Sequence, residues 1–480
     1  MSFRETAIAG IGWSFIQQFG AKLVSLVIGI VLARLLGPEE FGLVAMVYVF
    51  IAVGSSLMDS GLTSSLIRSA EVDQSDYSTV FLFNLAGSVV VYAMLFFVAP
   101  LIASFYKQDI LVDIIRVTGI SFIINASYGV HNTRFIKMMN FKIQAFMQIP
   151  AIVGSGILGI VIAKAGFGVW SLVWMSLFSS FLLALMHWMF SDWRPEFIFD
   201  KNSFKRHFNF GYKMTLSGLL ETLYQNIYVI IIGKYYSATQ LGFYSRADSM
   251  SQFPVSNLAA AMNKVTYPMF ASISDDNHRL KMVYKRILKQ VVFWNAPMLI
   301  ILILIAEPLF RILLTERWLP AVPYFRILCA AGIMYPLHSF NLNILKVKGR
   351  SDLFLKLEVI KKVSSVIGII CVIPLGIYGL LFFQLGYSFI GYYINSIYSG
   401  KIIGYPVKEQ IIDLLPSISL SILTGFICVF GDRYLVSDLM ANDLVRITLV
   451  STIYIIIYLF SANATKLSAI SDFRQLILKL

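Results

Sequence analysis

The sequence predicts an all-α polytopic membrane protein. Of its 480 residues, 58% are hydrophobic and only 14% are charged, whereas about a quarter of the residues in soluble proteins carry a charge. The mean hydropathy is +0.75. Apolar runs of roughly 20 residues, the length that crosses a hydrocarbon core of about 30 Å, recur along the whole chain. We therefore expect about 14 transmembrane helices and no separate soluble domain.

The apolar runs set the order of the spans. They lie roughly at 8–36, 41–66, 79–105, 111–133, 141–163, 168–190, 209–234, 244–271, 290–314, 322–345, 354–375, 378–398, 411–431 and 444–462. The first run is too long for a signal peptide and has no cleavage pattern, so we expect a retained span.

Charges in the connections predict the orientation. Alternate connections hold most cations: Arg134, Lys137 and Lys142; Arg194, Lys201, Lys205 and Arg206; Arg279 to Lys289; Lys346, Lys348, Arg350 and Lys356; Lys401 and Lys408. The positive-inside rule places these connections and both termini in the cytoplasm. This asymmetry accounts for the net charge of +13, so no nucleic-acid partner is expected.

A weak internal repeat predicts two lobes. ARLLGPEEFG at 33–42 aligns with GKYYSATQLG at 233–242, so that Gly42 meets Gly242. Six spans separate the copies, an even number, and the repeats therefore enter the membrane in the same direction. We expect two six-helix lobes related by a pseudo-two-fold axis, with two additional helices. The predicted domains are residues 1–200, 201–400 and 401–480, the last ending in a cytoplasmic tail.

The aligned segments also place two cations at equivalent helix ends. Arg34 and Lys234 fall in the last turn of an apolar helix, where a cation complements the helix C-terminus and reaches the interface. We expect both to be interfacial cations. Glu39 and Glu40 are expected in a short outward turn.

Polar side chains within the spans are candidates for a transport site, because they are expensive in hydrocarbon and usually face a cavity or a partner. Gln18 and Lys22 share one face of the first span, and Glu221 and Gln225 share one face of the seventh. Further candidates are Asp59 in the second span, Asn125 in the fourth, and Arg246, Asp248 and Lys264 in the eighth. A cavity lined by several cations would suit an anionic head group.

Structural roles compete with these assignments. Lys22 and Glu221 could form a buried ion pair that locks the lobes together, and neighbouring polar groups could satisfy Asp59 and Asp248. We expect His338 to be a hydrogen-bonded packing residue in preference to a proton relay, and His187, Trp188 and Trp193 to form an interfacial belt. The cationic stretch 275–289 suits either an amphipathic helix on the anionic inner leaflet or a solvated linker.

Signals for an enzyme or a cofactor are poor. The sequence has no P-loop, HExxH, GxSxG or CxxC pattern. Cys329, Cys371 and Cys428 lie apart in apolar runs, which predicts buried thiols and neither a disulfide nor a zinc site. We expect a transporter without a cofactor.

Several segments together resemble bacterial polysaccharide flippases. They are ARLLGPEEFG (33–42), GLTSSLIR (61–68), IIIGKYYSATQLGFYSRADSM (230–250), NKVTYPMFASISDD (263–276) and AEPLFRILLTERWLPAVPYFRIL (306–328). The chain is similar to the Wzx/WzxC-type proteins of the multidrug/oligosaccharidyl-lipid/polysaccharide exporter superfamily. The resemblance implies alternating-access transport of an undecaprenyl-pyrophosphate-linked oligosaccharide from the inner to the outer leaflet of the bacterial cytoplasmic membrane, serving surface polysaccharide biosynthesis. It also implies coupling to a proton or sodium gradient or to the membrane potential, which the sequence does not distinguish.

One departure from the family concerns the seventh span. Relatives often carry an aspartate shortly before IIGK, where this chain has Tyr228. Glu221, about two turns earlier on the same face, is the candidate substitute. The expected substrate-binding residues are Lys22, Gln18, Arg246, Lys264, Asn125 and Gln225, and the expected ion-coupling residues are Asp59, Glu221 and Asp248.

Three other functions remain open at this point. A drug or metabolite antiporter of the same superfamily would favour a negative cavity lining, a membrane glycan polymerase or ligase would need a large outward loop, and a scaffold would have no continuous polar lining. The expected partners are the lipid-linked glycan and membrane lipids, with polysaccharide assembly proteins as further candidates.

Overall fold

The computed structural model describes residues 3–59, 61–432 and 442–471. Within these ranges the chain consists of α-helices joined by short turns, with two short 3-10 segments at Glu316–Ala321 and Ile373–Leu375 and no β-strand. The all-α prediction is therefore confirmed.

The helices of the described chain follow one another closely. They are α1 Phe3–Leu35, α2 Pro38–Asp59, α3 Leu62–Arg68, α4 Gln74–Tyr106, α5 Leu111–Lys137, α6 Phe141–Lys164, α7 Trp170–Phe190, α8 Lys201–Gln225, α9 Ile227–Tyr235, α10 Ala238–Ser272, α11 Asn277–Leu304, α12 Ala306–Leu314, α13 Val322–Gly332, α14 Tyr335–Val347, α15 Ser351–Val372, α16 Gly376–Ile403, α17 Val407–Gly431 and α18 Asp443–Ala464.

The helices confirm a multi-pass membrane protein. In the described ranges, 11 helical stretches are long and apolar enough to cross a membrane, or 12 if the bent pair α8 and α9 forms one span. One of these stretches, Ser351–Ile403, contains two antiparallel helices, because Tyr387 bonds to Lys361 and Ser364 while Phe383 faces Gly368. The more polar α10 is 35 residues long. The predicted 14 spans are compatible with this arrangement.

The second predicted span differs in detail from the structure. Helix α2 begins at Pro38, so Glu39 and Glu40 lie in its first turn and not in a separate outward turn. Proline suits the first position of a helix, and carboxylates there complement the helix dipole. The span then breaks at Gly61, whose φ of 62° is left-handed. A Cβ at this position would lie 2.8 Å from the Gly211 Cα, so the close approach of α8 requires glycine.

The chain forms two compact units, Met1–Ser245 and Arg246–Leu480. In the first unit α1 packs against α6, α6 against α7, and α4 against α5. One core cluster joins Leu62, Leu66, Val80, Phe81, Val130 and Trp193. The predicted lobe boundaries at 200 and 400 stay a prediction.

In the second unit α11 packs against α17, and α13 packs against α16. The cationic stretch 275–289 enters α11 and is neither a separate surface helix nor a linker. Its lysines pair with acids of α17: Lys281 with Glu409 at 2.8 Å, Lys285 with Glu409 at 3.1 Å and Asp413 at 2.7 Å, and Lys289 with Asp413 at 2.9 Å. We call these residues the α11–α17 ladder.

The cysteines follow the prediction in two of three cases. Cys329 and Cys428 are buried, whereas Cys371 is exposed. Cys371 lies on α15 near the exposed side chains of Ile367 and Ile370, a face that suits contact with lipid.

Candidate functional site

The helix pair α8 and α9 bends sharply beside the predicted polar face of the seventh span. Helix α8 ends at Gln225, α9 begins at Ile227, and their axes differ by 47°. At the break the Asn226 side chain donates to the Thr222 carbonyl over 2.8 Å, which satisfies a backbone acceptor within the helix end. Broken helices in transporters often mark substrate and ion sites.

Glu221 and Gln225 lie together at this break. The Gln225 amide donates to Glu221 Oε1 over 2.9 Å. Gln225 is exposed and Glu221 is partly exposed. Thr222 hydrogen-bonds Ser56 of α2 at 2.9 Å, which ties the neighbouring face of α8 to α2. The result is an accessible carboxylate and carboxamide on a helix held in place by its other side.

The first helix presents a second accessible polar face. Gln18 and Lys22 are exposed, whereas Ala21 is buried. Beside them, Gln17 donates to Gln148 of α6 over 2.9 Å. Lys22 and Glu221 are therefore not buried side chains, although the sequence left a buried ion pair open.

Tyr228 occupies the position where the resemblance led us to expect an aspartate. Its ring stacks on that of Tyr244, with centroids 6.2 Å apart and planes 19° from parallel. Tyr228 therefore has a packing role at the start of α9.

The remaining candidates of the first unit have different surroundings. Asn125 of α5 is partly buried, and its Oδ1 has no hydrogen-bond partner among the described residues. Lys234 donates to the Phe105 carbonyl at the end of α4 over 2.7 Å and lies 4.2 Å from the Phe105 ring centroid. Arg34 is exposed in the last turn of α1. The side chain of Asp59 lies outside the described residues.

In the second unit, Arg246 is buried and its guanidinium lies 5.7 Å from the Trp318 ring centroid. Asp248 is partly buried and is hydrogen-bonded by Gln252, one turn further along α10. Lys264 is exposed. Its neighbour Asn263 bonds Ser339 at 2.7 Å.

A cavity of about 140 Å³ adjoins the Asp248 region of the second unit. Its polar lining includes Ser251, Gln252, Tyr335, His338, Gln384 and Ser388. The His338 Nδ1 lies 3.5 Å from the Asn395 amide nitrogen, and the His338 ring packs on Gly391. Gln252 thus connects the Asp248 carboxylate to a cavity large enough for water or an ion.

A buried network missing from the sequence-based candidates holds α8 to α4. Asp76, in the first turn of α4, accepts hydrogen bonds from Ser203 and Arg206 of α8, and His207 Nε2 lies 3.3 Å from its Oδ1. His207 Nδ1 lies 2.8 Å from Ser65 Oγ. We call these five residues the α4–α8 latch. Asp73 and Asp76 form a capping box, a signal visible in the sequence, but the α8 partners lie about 130 positions away.

The two copies of the repeated motif contact each other reciprocally. A Cβ at Gly42 would overlap the Ala238 carbonyl and lie 3.1 Å from its Cα, and a Cβ at Gly242 would overlap the Pro38 carbonyl and lie 3.1 Å from its Cα. Pro38 and Ala238 are themselves equivalent in the repeat. Such a self-complementary contact is typical of two segments, here residues 38–42 and 238–242, that are related locally by a two-fold axis.

Fold and site together define a class of protein. A helical multi-pass membrane protein with a repeated motif, a sharply bent helix pair and accessible polar faces is typical of membrane transporters. Residues 31–323 match the polysaccharide biosynthesis protein family, and the chain belongs to it.

Three relatives have names that refer to the biosynthesis of teichuronic acid, lipopolysaccharide and succinoglycan. The teichuronic acid biosynthesis protein TuaB of Bacillus subtilis is 26% identical over 355 residues, which cover 73% of each chain. The lipopolysaccharide biosynthesis protein WzxC of Escherichia coli is 26% identical over 368 residues, 75% of this chain and 74% of that protein. The succinoglycan biosynthesis transport protein ExoT of Rhizobium meliloti is 26% identical over 341 residues, covering 70% and 68%.

Solved structures share the fold. The lipid II flippase MurJ in an inward closed conformation superposes with a TM-score of 0.74 over 94% of this chain and 98% of that chain, at 15% identity. An inward-facing multidrug transporter of the MATE family superposes with a TM-score of 0.61 over 82% and 98%, at 16% identity. At these identities the similarity establishes the fold alone.

Proposed function

We propose that the protein is a flippase that moves an undecaprenyl-pyrophosphate-linked oligosaccharide from the inner to the outer leaflet of the bacterial cytoplasmic membrane. The glycan then enters surface polysaccharide biosynthesis. Family membership and the names of the relatives support the substrate class. Both termini lie in the cytoplasm in this proposal, following the distribution of cations between the connections.

The accessible Glu221 and Gln225 pair at the break between α8 and α9 carries the proposal. A pyrophosphate and sugar head group cannot cross hydrocarbon without polar partners. In transporters, an interrupted helix supplies such partners within the membrane, because the groups near its break typically line a cavity. Carboxamides and carboxylates hydrogen-bond sugar hydroxyls, so this pair suits the oligosaccharide.

Cations would bind the pyrophosphate. Lys22 and Lys264 are exposed, and Gln18 adjoins Lys22 on α1. The proposed pyrophosphate-binding cations are Lys22 in the first unit and Arg246 and Lys264 in the second, and Gln18 and Asn125 of the first unit are proposed to donate or accept further hydrogen bonds. The lipid tail stays in the bilayer throughout.

Carboxylates would couple the conformational change to an ion gradient or to the membrane potential. Glu221, Asp59 and Asp248 are the proposed coupling residues. Asp248 connects through its hydrogen bond with Gln252 to the cavity of the second unit that Gln252 lines, which supports its access to a small cation or to water. Binding of the ion and the substrate to different conformations would shift their populations.

Deletion of the gene, followed by analysis of lipid-linked oligosaccharides, tests the proposed function. A flippase deletion should accumulate completed repeat units facing the cytoplasm, and expression of the wild-type chain should clear them. Export of single unpolymerised units would identify a polymerase or ligase. Normal glycan export with raised sensitivity to organic cations would identify a drug antiporter.

A further inference from the structure

A groove on the first unit is lined by residues that are not among the transport candidates. It runs between α1 and α6 beside the end of α7 and encloses about 650 Å³, within the range of roughly 300 to 1,000 Å³ that is typical of ligand sites. Trp13, Ile143, Phe146, Ile149, Pro150 and Phe190 form its apolar walls. We call it the α1–α6 groove.

Aliphatic and aromatic side chains form the walls of the groove, and several of them are exposed. Phe146 is 62% exposed and Phe190 is 43% exposed, and their rings meet edge to face with centroids 5.7 Å apart. Pro150 lies inside α6 and contributes no backbone N–H to this surface. The groove therefore suits a flexible apolar chain.

A cation lies at one end of the groove. Lys142 is exposed, and its Nζ lies 5.7 Å from the Trp13 ring centroid. Within the described ranges no carboxylate pairs with Lys142. Asn140 caps the same helix end by accepting from the Ile143 N–H over 3.3 Å. An anionic group attached to an apolar chain would complement both the walls and the charge.

The position of the groove selects the source of that anion. Lys142 belongs to the connection between α5 and α6, on the side where cations concentrate. This side faces the cytoplasmic leaflet under the positive-inside rule, and basic pockets between helices there bind anionic lipid head groups.

We propose that the α1–α6 groove binds one anionic phospholipid of the inner leaflet, with its phosphate at Lys142 and an acyl chain along Phe146 and Ile149. This lipid is a resident ligand and not the transported cargo, so the inference does not depend on the proposed function. It identifies a lipid-binding site on a part of the chain that carries none of the transport candidates beyond Gln18 and Lys22 of α1.

Native mass spectrometry of the purified full chain tests the proposal. The protein is stripped of lipid in detergent, mixed with equal amounts of phosphatidylglycerol and phosphatidylethanolamine, and the retained lipids are counted. We expect one phosphatidylglycerol to be retained in preference. Lys142→Gln should lower its retention about fivefold, because one lysine near an anionic surface contributes on the order of 1 kcal/mol.

Two matched controls separate the groove from the general surface. Lys164→Gln alters an exposed lysine at the opposite end of α6 and should leave retention unchanged. Phe146→Ser should lower the retention of the lipid, whereas Phe97→Ser should not, because Phe97 is 77% exposed on α4 outside the groove. All four side chains are exposed, and equal thermal midpoints would verify that the variants fold.

Several outcomes would overturn the proposal. Equal losses for Lys142→Gln and Lys164→Gln would show that general surface charge retains the lipid. Equal retention of the two phospholipids would remove the anionic preference. Displacement of phosphatidylglycerol by a lower concentration of polyprenyl phosphate would identify the groove as a cargo site. Loss of a dimer peak in Phe146→Ser would instead identify a contact between two copies of the chain.

Discussion

Gly42 and Gly242 hold equivalent places in the two copies of a repeated motif, and each packs on the backbone of the other copy. Gly42 lies against Ala238, which precedes Gly242 by four residues. Gly242 lies against Pro38, which precedes Gly42 by four residues. Absence of a side chain allows this backbone approach, as in close helix contacts within membranes. The repeat in the sequence thus corresponds to a reciprocal contact in space.

The reciprocal contact predicts a non-additive mutational effect. Gly42→Ala and Gly242→Ala should each force the two segments apart and destabilise the protein by about 1–3 kcal/mol. The double variant should cost less than the sum, since the first substitution already separates the shared surface. Thermal midpoints in detergent measure this.

Gly87→Ala provides the control for the glycine variants, because a Cβ there meets nothing within 4 Å. It should have little effect on the midpoint. Strict additivity of the Gly42 and Gly242 substitutions would contradict the reciprocal contact.

The α4–α8 latch predicts a large difference between its two charged ends. Asp76→Ala should destabilise the protein by about 3–5 kcal/mol, because it leaves buried donors without an acceptor. Arg206→Ala should cost less than about 1 kcal/mol, since the arginine side chain is 59% exposed. Thermal unfolding compares the variants, and a larger effect for Arg206→Ala would refute this account of the latch.

The α11–α17 ladder predicts measurable coupling between Lys285 and Asp413. Their side chains are 31% and 11% exposed and lie 2.7 Å apart. A double-mutant cycle with alanine at both positions should give coupling on the order of 1 kcal/mol. The exposed Arg350 and Asp352 pair is the control and should couple more weakly. Equal coupling energies in the two pairs would show that Lys285 and Asp413 interact no more strongly than an exposed ion pair.

The proposed site predicts a selective loss of transport in Glu221→Gln. The substituted side chain can still accept a hydrogen bond from Gln225, so folding and expression should remain normal. Glycan export should fall about tenfold or more, equivalent to about 1.4 kcal/mol in the rate-limiting barrier. Glu71→Gln, an exposed change outside the helices, should export normally. Normal export by Glu221→Gln would remove this carboxylate from the mechanism.

Sequence patterns predicted the helical class, because apolar runs of membrane length are encoded locally. They also aligned Gly42 with Gly242, but the alignment could not show that the two glycines touch. The breaks at Gly61 and Asn226 depend on how neighbouring helices approach, and the predicted spans ran through both. Asp76 was passed over for a similar reason, since its partners Ser203 and Arg206 come from a distant helix.

The polar faces were partly predictable for the same physical reason. The spacing of Glu221 and Gln225 placed them on one helical face, and the structure adds the hydrogen bond that joins them. The cationic start of α11 was harder to interpret, because its lysines resemble a membrane-surface pattern until Glu409 and Asp413 are placed opposite them. The sequence shows that these lysines are present, whereas the packing of α11 on α17 determines which acidic residues they contact.

Reconstitution into sealed vesicles tests whether the purified chain moves a lipid-linked oligosaccharide across a bilayer. The purified chain and a labelled undecaprenyl-pyrophosphate-linked oligosaccharide are placed in the same vesicles, and a glycan-cleaving enzyme is added outside. A flippase brings head groups from the inner leaflet to the outer leaflet, where the enzyme can cleave them. We therefore predict that the cleaved fraction of the labelled oligosaccharide will exceed the fraction that starts in the outer leaflet and will approach completion. This should occur without ATP, once any required ion gradient is imposed. Cleavage that stops at the level of protein-free vesicles under proton, sodium and potential gradients would contradict the proposed function.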